Sequence, residues 1–283
     1  VFHLAAQALV RRSYTHPAIT METNVMGTVN VLEAVQVSPS VRSLVCITSD
    51  KCYRNDEWVW GYRETDHLGG DDPYSASKAC AEIVAHSYFC SGLPVDIYAA
   101  TARAGNVIGG GDWAEDRIVP DCVRAWTAGK PVNIRNPWST RPWQHVLEPL
   151  SGYLWLGACL FAGNSNGMPV NKEAFNFGPP SETNKNVGEV VDSLAAHWPG
   201  FASEMDRSPA GGKVENNLLK LCCDKALAHL AWKAILTFDQ TIDYTAKWYK
   251  AWYEGNTDMY LFTMSQIESY VDIARQEGLL WTE

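Results

Sequence analysis

Long apolar runs are missing from this sequence of 283 residues. No stretch approaches the roughly 20 apolar residues that a membrane-spanning helix needs, so we expect no transmembrane segment and no membrane partner. A signal peptide is not expected either, because Arg11 and Arg12 follow the first apolar stretch instead of preceding it. The sequence therefore predicts a cytoplasmic protein.

Basic residues are scarce: 23 lysines and arginines stand against 32 aspartates and glutamates, which gives a net charge of −9. A nucleic-acid binder needs a basic stripe that neutralises phosphates, so we expect no nucleic-acid partner, although a local basic pocket for a small anion is compatible with this balance. None of the eight cysteines forms a C-x-x-C pair. We therefore expect buried free thiols and no metal site, in preference to a disulfide or zinc framework.

Apolar residues make up 46% of the chain, enough for a sizeable core, and fall into strand-like and helix-like segments in alternation. This alternation predicts an α/β fold with a parallel sheet and right-handed crossovers. We expect strands at 1–6, 43–48, 95–100, 132–135, 174–177 and 218–221, and a polar, irregular stretch at 203–217. We expect helices at 17–37, 74–91, 117–128, 145–161, 187–197, 224–230, 238–254 and 257–277.

The character of the sequence changes after Arg103, where the glycine-rich segment Gly109-Gly110-Gly111 follows. This change predicts a core formed by 1–108, to which 143–178 contributes a helix and a strand, and a smaller α/β lobe formed by 109–142 and 179–283. No flexible linker separates the two parts, so the lobe is not expected to be a separable module.

Tyr74 and Lys78 are the strongest local signal. Residues four apart share a helical face, and an ammonium beside a phenol favours the phenolate, so Tyr74 is a candidate base. The pair alone is weak evidence, because it also arises by chance on solvated helices. Ser49-Asp50-Lys51 adds to it by following a buried strand, at the sheet edge where α/β folds bind ligands. A helix cap or a turn is the alternative interpretation of that tripeptide.

Several motifs occur in the order in which extended short-chain dehydrogenase/reductases acting on nucleotide sugars carry them. They are Leu4-Ala5-Ala6-Gln7, Asn24-Val25-Met26-Gly27-Thr28, Ser49-Asp50-Lys51, Tyr74-x-x-x-Lys78 and Arg103-Ala104-Gly105-Asn106-Val107. Residues 103–113 and 139–150 are more specific and resemble the CDP-glucose 4,6-dehydratases of that family. The resemblance covers nearly the whole chain and implies a Rossmann-like, doubly wound parallel sheet with a smaller substrate-binding lobe.

The resemblance also implies a reaction, the NAD-dependent dehydration of CDP-glucose to a 4-keto-6-deoxy sugar. Tyr74, activated by Lys78, would take the proton of the 4-hydroxyl, and Ser49 would hydrogen-bond the 4-oxygen. Asp50 would be the acid that protonates the departing 6-hydroxyl, and Lys51 the base at C5. Lys51 stands where dTDP-glucose dehydratases carry glutamate, and epimerases usually carry small or hydroxyl residues here. Both differences favour dehydration of a CDP-sugar.

Further site residues and partners are implied by the same resemblance. NAD would be bound by Ala5, Ala6, Gln7, Asn24, Tyr74, Lys78 and Arg103. CDP-glucose would be bound by Asn106, Arg117 and Arg141, for each of which a plain surface position is the alternative. The helices at 17–37 and 74–91 correspond to those that pair two subunits, so we expect a homodimer.

The glycine-rich phosphate loop of this family and the acidic residue that would hold the adenosine ribose are missing. The resemblance places both in a first βαβ unit, so we expect an N-terminal portion of roughly 80–90 residues to be absent. Gly109-Gly110-Gly111 follows a late strand and does not replace that loop. Two alternatives stay open at this point: another nucleotide-sugar epimerase or dehydratase, and a non-catalytic, truncated nucleotide-sugar-binding protein.

Overall fold

The computed structural model describes residues 1–134, 136–163, 167–180, 183–198, 203–205 and 218–283. The strands are β1 (Phe2–His3), β2 (Ser43–Ile47), β3 (Tyr98–Ala104), β4 (Val107–Ile108), β5 (Val132–Ile134), β6 (Thr140–Arg141), β7 (Gln144–His145), β8 (Ala174–Phe177), β9 (Lys185–Asn186) and β10 (Ser203–Met205). The α-helices are α1 (Val10–Thr15), α2 (Pro17–Met21), α3 (Gly27–Gln36), α4 (Pro73–Ser91), α5 (Ile118–Thr127), α6 (Leu147–Ala162), α7 (Val187–Ala195), α8 (Asp224–Leu230), α9 (Phe238–Glu254) and α10 (Met259–Gln276). A π-helical turn, Glu22–Met26, joins α2 to α3, and 3-10 turns lie at Asp50–Cys52 and Leu280–Thr282.

A parallel four-stranded sheet in the order β1-β2-β3-β8 organises the first part of the chain. Val45, in the middle of β2, pairs with Phe2 on one side and with Ala100 on the other. Helices lie in every connection between consecutive strands of this sheet, which confirms the predicted α/β class. Because all four strands are parallel, their carboxyl ends meet at one edge of the sheet.

Apolar side chains hold the crossover helices on the sheet. Leu32 from α3 and Phe89 from α4 pack with Leu44 of β2 in one buried cluster. On α6, glycine permits close approach to an aromatic ring, because a Cβ on Gly152 would lie 2.3 Å from Cδ1 of Phe177. Packing of α3 and α4 therefore holds β2 in place, and β2 is the strand that precedes the predicted catalytic tripeptide.

The chain forms two compact units. The first consists of Val1–Gly105, Pro149–Gly178 and Lys220–Lys233, and the second of Asn106–Glu148, Pro179–Leu219 and Ala234–Glu283. These bounds differ from the division predicted from the sequence over 106–108, 143–148 and 220–233. Residues 220–233 join the first unit because Cys222 N donates to Tyr62 O (2.9 Å) and α8 packs beside β8.

The second unit has its own core, formed by side chains of α5, α7 and α9. Trp126 and Tyr249 are fully buried in it, and the Trp126 and Trp198 rings lie 5.6 Å apart. Short strands complete the unit: β4 pairs with β7, β5 with β10, and β6 with β9. Within the described parts of both units, no helix has the length and apolar character needed to cross a bilayer.

Most predicted elements are present, but several differ from the prediction. The strand predicted at 1–6 is confined to Phe2–His3, and the helix predicted at 17–37 is formed by α2, the π-helical turn and α3 in succession. The strand predicted at 95–100 begins only at Tyr98, because Val95 is 97% exposed and a turn joins Ile97 N to Pro94 O. The strand predicted at 218–221 is wrong, since Leu221 forms just an isolated bridge with Tyr62. In the stretch predicted to be irregular, 203–205 form β10, and 206–217 lie outside the described residues, as does Arg135 at the end of a predicted strand.

Candidate active site

The carboxyl end of β2 carries the predicted tripeptide in the 3-10 turn Asp50–Cys52. Ser49 caps this turn, because its Oγ accepts a hydrogen bond from Lys51 N (3.2 Å) and donates one to Asp50 Oδ1 (3.0 Å). Ser49 and Asp50 are buried, and Lys51 is half-buried. The interpretation of the tripeptide as a capped turn is confirmed, and its role in a ligand site stays a prediction.

Helix α4 packs against this turn and begins at a strong cap. Asp72 Oδ1 accepts a hydrogen bond from Ser75 N (2.9 Å), and its Oδ2 accepts one from Ser75 Oγ (2.5 Å). Pro73 follows at the first helical position, where a missing N–H costs nothing. The cap fixes where the helix starts, and hence which residues of its first turns face the sheet.

Tyr74 and Lys78 lie on the same face of α4 and are both buried, with 8% and 6% of their surface exposed. Burial lowers the pKa of Lys78 to about 8, against the opposing influence of Glu82 and, less strongly, of Cys52. Most Lys78 side chains are then charged at neutral pH. The structure thus places a buried phenol and a buried ammonium on one helical face, as the spacing predicted, and the role of Tyr74 as a base stays a prediction.

A buried phenol on α6 is influenced by the charges of both the tripeptide and the α4 pair. Tyr153 is 6% exposed, and burial, followed by the charges of Asp50 and Tyr74, raises its pKa. The packing of α4 against the 3-10 turn brings Ser49, Asp50 and Lys51 together with Tyr74 and Lys78 at one edge of the sheet.

Arg103, a predicted cofactor residue on β3, has a buried guanidinium that is held by other groups of the protein. Its Nη2 donates to Glu82 Oε2 (2.7 Å), and its Nη1 donates to Tyr53 OH (2.8 Å) and to Glu64 O (3.1 Å). The guanidinium also lies 4.9 Å from the centroid of the Tyr53 ring. These contacts occupy Nη1 and Nη2 of Arg103 with acceptors of the protein itself, and its contact with a cofactor stays a prediction.

Glu82 is the residue that sequence reasoning missed. It is 3% exposed and joins α4 to β3 through its ion pair with Arg103. Its position, four residues after Lys78, is a signal available in the sequence. That spacing is also common on exposed helix surfaces, so the burial of Glu82 could not be read from it.

The loop after β1 holds the other predicted cofactor residues. Gln7 and Asn24 hold each other, because Gln7 N donates to Asn24 Oδ1 (2.7 Å) and Asn24 Nδ2 donates to Gln7 O (3.0 Å). Asn24 Nδ2 also donates to Ser77 Oγ (2.8 Å) on α4. Ala5 is exposed and Ala6 half-buried at the end of β1, so the backbone there is open to a flat ligand. Asn24 lies in the π-helical turn, an irregularity that is frequent at functional sites.

The predicted substrate residues lie in the second unit. Asn106 has the left-handed φ of 47°, and its carbonyl accepts from Gln144 N (3.3 Å). Arg141 is buried on β6, with Nη1 donating to Thr140 O (2.8 Å). Arg117 precedes α5 and lies 3.6 Å from an Asp112 carboxylate oxygen. None of the three side chains has the full exposure that the alternative interpretation as plain surface residues implies.

Neither the cysteines nor the other potential metal ligands among the described residues indicate a second functional site. All eight cysteines lie in the described part of the chain and are free thiols, of which Cys80 and Cys90 are exposed and the predicted burial does not hold. Among the residues that the structure describes, no three His, Cys, Asp or Glu side chains are grouped so as to hold a metal ion.

Comparison with known proteins gives relatives along nearly the whole chain. The family model described as GDP-mannose 4,6 dehydratase matches residues 1–157. The CDP-glucose 4,6-dehydratase of Salmonella typhimurium is 46% identical over 277 residues, which cover 96% of this chain and 76% of the relative. The dTDP-glucose 4,6-dehydratase of Streptomyces antibioticus is 30% identical over 267 residues, which cover 90% of this chain and 72% of the relative.

Solved structures show the same fold. The UDP-glucose 4-epimerase of Thermotoga maritima matches with a TM-score of 0.72 at 20% identity, covering 88% of this chain and 76% of that one. A dTDP-glucose 4,6-dehydratase of Streptomyces venezuelae, solved with NAD, matches with a TM-score of 0.69 at 22% identity, covering 90% of this chain and 73% of that one. The likeness confirms the predicted Rossmann-like fold.

Proposed function

The chain belongs to the nucleotide-sugar 4,6-dehydratase family, and we propose that it is a hydro-lyase that converts CDP-D-glucose to CDP-4-keto-6-deoxy-D-glucose. The observation that carries this proposal is the burial of Tyr74 and Lys78 on one face of α4, packed against the turn that presents Ser49, Asp50 and Lys51. A base and an acid–base pair at one strand end are the groups that oxidation at C4 and elimination across C5–C6 require.

The cofactor of this reaction is NAD, and the residues present fit its nicotinamide end. The small side chains of Ala5 and Ala6 leave the carboxyl end of β1 open, and the Tyr74 phenol and the Lys78 ammonium supply polar partners beside it. When bound, the cofactor would supply reversible hydride transfer, from C4 of the sugar and back to C6. Gln7 and Asn24 hold the loop in shape. Arg103 supports the site indirectly.

The first chemical task falls to α4. The Tyr74 phenolate takes the proton of the sugar 4-hydroxyl, which leaves C4 free to become a carbonyl carbon. Lys78 keeps the phenol acidic enough to do so near neutral pH, because its positive charge stabilises the phenolate. Ser49 donates a hydrogen bond to the 4-oxygen and so supports the ketone that forms.

The second task, elimination, falls to the turn after β2. The 4-ketone acidifies the hydrogen at C5, and Lys51, in its neutral amine form, takes that proton. Asp50 gives its own proton to the 6-hydroxyl, which leaves as water while the C5–C6 double bond forms. When C6 receives hydride, C5 takes the proton back from Lys51, which restores the neutral amine. The proton that Tyr74 took from the 4-hydroxyl must then reach Asp50, through solvent, before the next cycle.

Binding of the nucleotide diphosphate falls to the second unit in this proposal. The planar guanidinium of Arg141 suits bidentate contact with a pyrophosphate, and Asn106 and Arg117 would contact the sugar and the phosphates. Preference for a cytosine base rests on the name of the Salmonella typhimurium relative. Each of these residue roles is open to test by substitution.

We further propose a homodimer that forms through the helical segment 17–37 and α4. Apolar side chains are exposed on both, with Ile19 at 47%, Met26 at 49% and Ile83 at 58%. Pairing two copies would cover them. Sedimentation of the protein and of Ile83→Glu tests this assembly, since the charge should shift the variant toward the monomer.

The free thiols fit a reducing compartment, and we propose the cytoplasm.

The experiment that tests the function incubates the purified protein with NAD+ and either CDP-, dTDP- or UDP-glucose. A 4-keto product, detected by its absorbance in alkali and by the mass of one lost water, is expected from CDP-glucose. A product epimerised at C4 without loss of water, or no product from any of the three sugars, would overturn the proposal.

A further inference from the structure

Glu82 continues the face of α4 that carries the proposed base. Tyr74, Lys78 and Glu82 are spaced four residues apart, so they follow one another along one side of the helix. All three are buried, and Glu82 is the most deeply buried of them. A carboxylate in this place is unusual, because a buried charge is costly unless it is paired and hydrogen-bonded.

The carboxylate of Glu82 is fully engaged by the two neighbouring strands. Its Oε1 accepts a hydrogen bond from the Thr48 hydroxyl, and its Oε2 accepts from Thr101 Oγ1 (2.8 Å) and Arg103 Nη2 (2.7 Å). Burial acts to raise the pKa of Glu82, but the ion pair with Arg103 and the hydroxyl hydrogen bonds outweigh it, so that the pKa lies below its ordinary value. Glu82 is therefore ionised at neutral pH.

These contacts join the two halves of the proposed catalytic set. Thr48 directly precedes Ser49, so a hydrogen bond to Glu82 fastens the strand end that presents the tripeptide. The same Glu82 side chain belongs to the helix that presents Tyr74. Arg103 anchors the arrangement in turn, because Nη1 donates to Tyr53 OH. One carboxylate thus sets the distance between the helix and the strand end.

The same carboxylate dominates the charge around Lys78. The elements packed there contribute ionisable groups as follows: His3 from β1, Asp50, Lys51 and Cys52 from the 3-10 turn, Arg103 from β3, and Tyr74 and Glu82 from α4. Burial and then the charge of Lys78 lower the pKa of His3, and burial raises that of Cys52 well above its usual range, so both are neutral near pH 7. Glu82 is the charged group with the largest influence on Lys78.

We propose that Glu82 is a positioning residue for the dehydration: its carboxylate, held by Arg103 and two threonine hydroxyls, keeps Lys78 protonated and holds Tyr74 at its working distance from Ser49. Glu82 touches neither sugar nor cofactor in this arrangement. Arg103 then acts through Glu82, by balancing the buried charge. The inference deepens the proposed function and rests on it for its kinetic consequence.

The pH dependence of kcat with CDP-glucose tests the electrostatic half of the proposal. In the unmodified protein, kcat should fall above about pH 8, where Lys78 loses its proton. The fall of kcat at high pH is the basic limb of the pH profile. In Glu82→Gln this basic limb should move to lower pH by about one unit or more, since the attraction between Glu82 and the Lys78 ammonium is lost and the charge of Arg103 is left uncompensated. KM for CDP-glucose should change less than twofold, because the proposed substrate residues are elsewhere.

Three companion variants separate charge from structure. Glu82→Asp keeps the charge and should leave most of the basic limb in place, while Thr101→Val removes a hydrogen bond without any charge and should leave the limb unmoved. Arg103→Met removes the balancing cation, so its limb should move to higher pH. This opposite shift serves as the test if Glu82→Gln does not fold.

The proposal is overturned if Glu82→Gln lowers kcat equally at every pH, or if Thr101→Val moves the limb as far as Glu82→Gln does. It is likewise overturned if the folded Arg103→Met moves the limb downward. The unmodified protein is assayed alongside. Absence of a keto product from it would count against the proposed function, whereas normal turnover with an unmoved limb counts against the role of Glu82 alone.

Discussion

Gly105 passes so close to Asp50 that a Cβ atom on it would lie 1.9 Å from Asp50 Oδ2. Gly105 follows β3 directly, and Asp50 follows β2, so the two strand ends meet at this point. No side chain fits between them. The glycine is therefore needed for the carboxylate to occupy its place beside the backbone of the neighbouring strand.

Gly105→Ala should displace the Asp50 carboxylate and lower kcat for dehydration by about 100-fold, because misplacing a reacting group by an ångström costs about that much. The assay is release of keto product under saturating CDP-glucose. Gly27→Ala is the matched control, since a Cβ there meets nothing within 4 Å. If Gly105→Ala kept full turnover, Asp50 would not be the acid.

Replacing the proposed base tests the chemistry without altering the packing. Tyr74→Phe removes one hydroxyl from a buried position and should lower kcat by about 100-fold or more, since no group is left to take the 4-hydroxyl proton. Affinity for CDP-glucose, measured calorimetrically, should stay within a few-fold. Unchanged turnover would contradict the assignment of Tyr74, and loss of binding would point to a misfolded variant.

The Asn24 carboxamide joins the loop after β1 to α4, and its removal should destabilise the first unit. Asn24→Ala leaves Gln7 N and Gln7 O without their side-chain partner, so we expect a loss of about 2 kcal/mol in the free energy of unfolding. Urea unfolding measures it. Ser77→Ala removes one of the three carboxamide hydrogen bonds, together with the bond from Ser77 Oγ to Tyr74 O, and should cost about half as much. Equal losses would show that the Gln7 contacts contribute little.

Glu148 should make the stability of the second unit fall as the pH rises. Its Oε1 accepts from Ile235 N (2.9 Å) and Leu236 N (2.6 Å), and its Oε2 accepts from Tyr270 OH (2.9 Å). Burial raises the pKa of Glu148 from 4.5 to about 7, with these hydrogen bonds opposing the shift. The folded state therefore holds the proton more tightly than the unfolded state does.

This difference in proton affinity determines whether stability rises or falls with pH. Stability contributed by protonated Glu148 is complete below about pH 4.5 and is lost as the pH rises through about 7, by up to about 3 kcal/mol in all. Urea unfolding of Glu148→Gln at several pH values between about 5 and 8 is the measurement. The amide keeps an acceptor for both backbone N–H groups, so this variant should lack the Glu148 contribution and be at least as stable as the parent near pH 8. The same pH slope in parent and variant would contradict the prediction.

Local signals were sufficient for some parts of this protein. Helix α9 and strand β8 begin and end where the apolar periodicity predicts, because period and capping are encoded in consecutive residues. The prediction of a strand at 218–221 was wrong, because a short apolar run does not show whether a partner strand is available. The motifs that carry the family resemblance could likewise be recognised in the sequence, because each consists of residues close together in the chain.

What the sequence determined by itself is the alternation of strands and helices, and the spacing that places Tyr74 and Lys78 on one helical face. Only the tertiary structure decided that Arg103 is held by Glu82, since the two residues lie on different elements and meet through folding. The lowered pKa of Lys78 is decided there too. Desolvation and charge shift a pKa through groups that are close in space but distant in the sequence, whereas a helical face is set by the spacing of residues along the chain.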